Sequence, residues 1–387
     1  MAQAAERLVE VWRGDFCESV HTGHVAVWHA DSGLIWGLGD PDGVILPRSS
    51  SKMIQALPLV ESGAADAHGL SVAQLALSCA SHQAAAVHTD LVTRWLADLG
   101  LSEADLRCGV QWPSDEPARD QLICTACGPD QRHNNCSGKH SGFLTLTKHL
   151  KGGPEYIDPA HPVQRAVRAA WEDVTDETTP GYGIDGCSAP NFASTLKGFA
   201  RAMAMFAAAG EGADARQTAM VRLRTAMMAH PHLVAGEGRA CTKLMRVMGA
   251  RAAIKTGAEA VFAAIIPERR IGVALKISDG ATRASEAAST QILCALGVLD
   301  PADPVAQAYT TGPIRNWRGL ETGRYRVTPA LADWRPCALR SGPPPRAHAP
   351  GSCRAIRPSS AAWSCRRQSR RQGCVPGRRP SHAPSSR

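Results

Sequence analysis

Ser49 and Lys52, in the run Arg48-Ser49-Ser50-Ser51-Lys52, set a hydroxyl and an amine three residues apart where an apolar helical period begins. At that spacing both side chains lie on one side of a helix, a turn apart. A neutral lysine there takes the serine proton, and the N–H groups at the helix start stabilise the alkoxide, which is the chemistry of nucleophilic acyl transfer. The plain structural alternative is a serine cap beside a solvated lysine. A second amine arrives with Lys255-Thr256-Gly257, held between the apolar runs Ala252–Ile254 and Val261–Ile266. Between the two lies Ser78-Cys79-Ala80-Ser81-His82, which offers a second serine; Ser81 is the candidate rather than Ser78.

Two loops are dense in groups that bind or ligate. His133-Asn134-Asn135-Cys136-Ser137-Gly138-Lys139-His140 concentrates amide, imidazole, thiol and ammonium groups that a merely structural loop would leave unused. Gly183-Ile184-Asp185-Gly186-Cys187-Ser188-Ala189-Pro190-Asn191 has the same character. There Asp185 suits a substrate α-ammonium, and Cys187 opposite Cys136 would form a soft metal site. Cys124-Thr125-Ala126-Cys127 is discounted, because a zinc ribbon needs a second C-x-x-C and none follows at a suitable spacing.

Positioning these groups requires a sheet and a helical layer. Strands are expected at Leu8 to Trp12, Val20 to His29 and Leu34 to Leu38, with a turn at Asp31-Ser32-Gly33. A helix follows Ser49, carries Met53, Leu57 and Val60 on one face, and ends near Gly63, with Pro58 kinking it. Further helices are expected over Ser71 to Leu77, Ala84 to Leu99, Pro162 to Val174, Ala193 to Met228 and Thr282 to Leu296, and apolar strands return from Ala252 to Ser278. The class this implies is α+β: an antiparallel sheet from both chain ends, about 1–48 and 250–325, around a helical middle at about 49–249.

The chain has 387 residues, 44% of them hydrophobic and 20% charged, which suits a folded enzyme. Its net charge of +8 is a property of the tail. Residues 331–387 hold 12 arginines, no lysine and one acid, so they carry +11 and the body before them −3. A body so nearly neutral has no nucleic-acid footprint. The tail, rich in Arg, Pro and Ser without an apolar period, is expected to be disordered, and its lopsided arginine content fits a frame-slip extension. A nucleic-acid-binding protein acting through that tail is the alternative reading. No apolar stretch reaches the roughly 18 residues of a membrane span, and Met1 to Arg7 lacks the pattern of a secretory leader, so a cytoplasmic protein with reduced thiols is expected.

The paired S-x-x-K and K-T-G motifs are those of serine β-lactamases and penicillin-binding proteins, which makes a β-lactamase or D,D-peptidase-like hydrolase another alternative; Gln83, standing where their pattern has Asn, argues against it. The whole set, R-S-S-S-K, C-A-S-H, H-N-N-C-S-G-K-H, G-I-D-G-C-S-A-P-N, K-T-G-A-E and A-L-K-I-S-D-G-A-T-R, resembles the rhizobial-type L-asparaginase family (asparaginase II) over about Leu8 to Arg324. The resemblance implies a fold like the serine β-lactamases and glutaminases, a homodimer, and hydrolysis of L-asparagine to aspartate and ammonia, while charge and hydropathy lead to no expected nucleic-acid or membrane partner. It also implies two serine-lysine pairs, Ser49 with Lys52 and Ser81 with Lys255. Cys136, Lys139 and Cys187 then correspond to a zinc cluster, and Asp185, His140 and Arg48 to substrate-positioning groups. Zinc is not required for the chemistry so read. Ser81 as the attacking serine is the alternative order, and Lys276 falls in a motif with no assigned role.

Overall fold

Alternating apolar and polar residues near the N-terminus form a meander, β1 (Glu6–Arg13), β2 (Phe16–His29) and β3 (Gly33–Leu38), which buries Leu8, Val9, Val11 and Val25. In this computed structural model, which describes residues 4–336, the C-terminal segments β4 (Ala253–Thr256), β5 (Val261–Ile266), β6 (Ile271–Ile277), β7 (Pro313–Arg315) and β8 (Glu321–Val327) join them. The result is one eight-stranded antiparallel sheet of order β7-β8-β1-β2-β6-β5-β4, with β3 also paired to β2. The long strand β2 closes the two chain ends together: its first half pairs with β1, its second with β3, and its far edge with β6 from His29↔Ile271 to Gly23↔Ile277. This is the expected α+β class. The tail from residue 337 onward, expected to be disordered, lies outside the described residues.

The central strands β5 and β6 are buried at nearly every position, as they must be where helices cover both faces. Helices Leu196–Ala208 and Thr282–Ala295 both pack on them. The expected single helix from Ala193 to Met228 is two, Leu196–Ala208 and Ala215–Ala229. Gly210 and Gly212 break the run, and Asp214 restarts it by accepting the N–H of Gln217.

The segment after Pro47 also differs from expectation. It is a 3-10 turn, Arg48–Ser51, followed by α1 (Lys52–Gln55) and α2 (Leu57–Glu61), with the break at Ala56 and Pro58 inside the first turn of α2. Proline lacks the N–H that would continue the ladder from α1 but is tolerated at a helix start, so it separates two helices where a kink in one was expected.

Candidate active site

Three segments meet at the end of β4. The first is the turn Arg48–Ser51. Its middle serines are tied to the backbone, Ser50 Oγ donating to the Pro47 carbonyl at 2.6 Å and Ser51 Oγ to the Arg48 carbonyl at 2.8 Å. Ser49 is half-buried, makes no side-chain hydrogen bond among the described residues, and lines a cavity of about 320 Å³. The cap alternative fails here, because no side chain caps the turn or α1.

The second segment is the loop after α3 (Val72–Ser78), which begins with a reciprocal Ser71–Gln74 capping box. Ser81 donates its N–H to the Val234 carbonyl and His82 its N–H to that of Asn135, which fixes the loop between neighbours. Buried His82 is held neutral by desolvation; its Nδ1 accepts the Ala84 N–H at 3.1 Å while Nε2 meets Ser137 Oγ at 2.9 Å. Ser78, by contrast, gives its hydroxyl to the Leu75 carbonyl inside the helix.

The third is β4 itself. Lys255, with no solvent exposure, donates to Ser81 Oγ at 2.8 Å and to the Thr256 carbonyl at 2.7 Å. Lys52, equally buried, reaches the same Ser81 oxygen at 3.0 Å, the Ala80 carbonyl, and Cys136 Sγ at 3.1 Å. Ser81 is therefore bracketed by both amines, and Lys52 is hydrogen-bonded to Ser81 rather than to Ser49. Burial, then the charge of Lys52, lowers Lys255 to about 7.

Gly257 explains why the third residue of K-T-G carries no side chain. A Cβ there would stand 2.7 Å from the Pro47 carbonyl and 2.9 Å from the Ser50 N, so β4 can approach the serine turn only without one. Gly257→Ala is expected to push the strand off the turn and lower kcat by about tenfold or more, as sub-ångström misplacement does. Turnover unchanged in a folded variant would refute that reading of the contact.

The two polar loops converge on the other wall. Arg48 Nε and Nη2 lie 2.9 and 2.8 Å from Asp185 Oδ1, so the carboxylate is already paired in this structure. The backbone N–H of Arg48, a residue in the left-handed region at φ 54°, donates to Asn191 Oδ1 at 3.2 Å. Cys136, Lys139 and Cys187 are all buried and adjacent, with Lys139 Nζ 3.1 Å from Cys187 Sγ. The hydrogen bond from Cys136, then the Lys139 ammonium, lowers the Cys187 thiol, while that shared bond and burial raise Cys136. Burial pulls Lys139 down, but the charges of Cys187 and Cys136 outweigh it and keep it protonated. His140 Nδ1 meets the Tyr156 hydroxyl at 2.9 Å, and its buried Nε2 has no hydrogen-bond partner. Among the described residues no group of three or more His, Cys, Asp or Glu is arranged for a metal ion. The donor set available is two thiols and an amine beside an unpartnered imidazole nitrogen, which fits a soft divalent metal once the amine loses its proton.

The candidate catalytic, substrate-positioning and metal-ligating residues thus belong to one neighbourhood, whereas Lys276 lines a second cavity. The sequence points to no role for Asn191 or Tyr156: Asn191 closes the run G-I-D-G-C-S-A-P-N, and Tyr156 sits in a loop whose sequence carries no chemical pattern.

A family model described as L-asparaginase II matches residues 9–327. No curated protein matches the chain. Among solved structures, one described as Mglu in its native form is similar over 79% of this chain and 70% of its own, at 13% identity and a TM-score of 0.41. A β-lactamase from Mycobacterium bovis is similar over 72% and 95%, at 11% identity and a TM-score of 0.34.

Proposed function

The chain belongs to the L-asparaginase II family, and on that premise we propose that it hydrolyses L-asparagine to L-aspartate and ammonia by acyl transfer through a serine. The observation that carries the mechanism is the chain of groups Lys52–Ser81–Lys255, joined through Lys52 to Cys136, which lines one cavity with Ser49. Ser49 attacks the side-chain carboxamide. Lys52 gives a proton through Ser81 to neutral Lys255 as it takes the proton of Ser49, and Lys255 then protonates the departing ammonia; water releases aspartate by the reverse path. Backbone N–H groups of the turn 48–51 other than those of Arg48 and Ser50, which donate to Asn191 Oδ1 and the Pro47 carbonyl, are our candidates for holding the oxyanion.

Arg48 and Asp185 support recognition of the amino-acid head group. Joined through one carboxylate oxygen, they leave guanidinium N–H groups for a substrate carboxylate and Asp185 Oδ2 for an ammonium. His140 would orient the substrate from beside Cys187. Asp185→Asn is expected to raise KM for asparagine by about tenfold or more with a smaller change in kcat, since a charge-assisted bond is worth about 1.5–3 kcal/mol. Ammonia release measured against asparagine concentration checks both the activity and this split; hydrolysis of a chromogenic cephalosporin without ammonia from asparagine would overturn the assignment.

Cys136, Lys139 and Cys187 are the residues that would hold a zinc ion. Bound there, zinc supplies a fixed positive charge beside the catalytic cavity. Zinc retained by the wild type after dialysis and lost from Cys187→Ser, by atomic emission, is the expected result; equal zinc in both rejects this ligand set. Family resemblance supports a homodimer; no described helix is long and apolar enough to cross a membrane.

A further inference from the structure

Arg48 is a wall common to two cavities. Beyond it from the catalytic hollow lies a larger one of about 620 Å³, whose polar lining includes His24, Asp40, Glu259, Lys276 and Ser278. Lys276 is the lysine of the A-L-K-I-S-D-G-A-T-R motif that the proposed reaction does not use. Half-buried on β6, it donates to the adjacent Ile277 carbonyl and forms no ion pair among the described residues. Burial lowers it, against the opposing charges of Glu259 and Asp279. Asp40 and Glu259 likewise form no ion pair among the described residues; Asp40 Oδ1 accepts only the Asp42 N–H. His24 Nδ1 accepts the Asp40 N–H at 2.8 Å, so a neutral ring carries its proton on Nε2.

A lining with an ammonium and two carboxylates, none tied to another, satisfies a ligand that carries both charges. An α-amino acid zwitterion is the small molecule of that pattern. The remaining wall is apolar and partly open, with Val44 62% and Leu46 43% exposed, which suits an aliphatic side chain. We propose that this cavity is a second site, for a free aliphatic L-α-amino acid. Its carboxylate meets Lys276 and Ser278, its ammonium lies between Asp40 and Glu259, and its side chain covers Val44 and Leu46. Occupancy reaches the catalytic site through Arg48 and through Glu259, which follows Lys255 by four residues. Both Arg48 and Glu259 hold left-handed backbone, φ 54° and 57°, a strained conformation that a ligand contact can bias.

The test is calorimetric titration of the full-length protein with L-leucine, which has no side-chain amide to hydrolyse and so reports on this site whether or not asparagine is the substrate. Leucine is expected to bind wild type and Ser49→Ala alike, in the presence of saturating L-aspartate, and to shift the KM for asparagine. Lys276→Met should weaken it at least about tenfold, or 1.4 kcal/mol, and abolish the KM shift while leaving ammonia release without leucine unchanged. Lys276→Arg should restore binding, and Glu259→Gln, an exposed substitution safe for folding, should weaken it independently. No heat at millimolar leucine, undiminished binding in a folded Lys276→Met, an unmoved KM, or displacement of leucine by aspartate would each overturn the second site.

Discussion

Ser49→Ala is expected to reduce kcat for asparagine by about 10³-fold or more while leaving KM within a few-fold, because removing a nucleophile abolishes the covalent route and spares binding. The expectation rests on which hydroxyls are free. Of the three serines in the turn, Ser50 and Ser51 have spent their protons on the Pro47 and Arg48 carbonyls, and only Ser49 both faces the cavity and lacks a partner. Ser81 is bracketed by two amines and is not among the residues lining that cavity, a setting for passing a proton. Acid-quenched mass spectrometry during turnover separates the roles: an aspartyl adduct on Ser49 in wild type, absent in Ser49→Ala and formed more slowly in Ser81→Ala. An adduct on Ser81 would reverse the order of the two serines. Circular dichroism of the variants excludes misfolding as the cause, and deleting one half-buried hydroxyl without a partner removes no hydrogen bond from the fold.

Activity should rise with pH through about 7 and level off above it, because the relay ends on Lys255, which accepts a proton only when neutral and is lowered to about 7. The sign follows from the charge: a buried ammonium is disfavoured, so the base form predominates above that pH and the useful fraction falls tenfold per unit below it. Lys255→Met should remove this limb and lower kcat by about 10²- to 10⁴-fold, the usual range for an acid-base group. A pH profile of kcat/KM is the measurement. A limb near pH 7 that persists in Lys255→Met would assign it to another group. For stability the same shift works in the opposite sense to a salt bridge. Charging Lys255 opposes the folded state, at a cost that grows as pH falls from the ordinary lysine value toward 7 and is constant below. The methionine variant is therefore expected to melt no earlier than wild type at neutral pH, and loss of activity with retained melting temperature separates chemistry from folding.

The sequence by itself determined the class of fold and named the candidates for the site. Period-two alternation around Val11 and Val25 and the apolar runs of β5 and β6 are properties of consecutive residues, so strands were legible, and so were helices with clear starts such as Ser71. Neither S-x-x-K nor K-T-G was enough alone; their combination singled out Ser49 with Lys52 and Lys255 with Gly257. Breaks inside helical runs were less legible: at Ala56 one proline decides between a kink and a new helix, and that depends on whether the freed carbonyls find partners. What only the tertiary structure decided is how residues distant in the chain pair. Ser81 and Lys255 are 174 positions apart and 2.8 Å apart in space; Asp185 proved to be held by Arg48, 137 positions away. The lowered Lys255 and the thiol pair of Cys136 and Cys187 depend on burial and on charges brought together by folding, for which residue spacing carries no signal. The physical reason is the range of the forces: propensity and periodicity act over a few residues, whereas desolvation and ion pairing act through space.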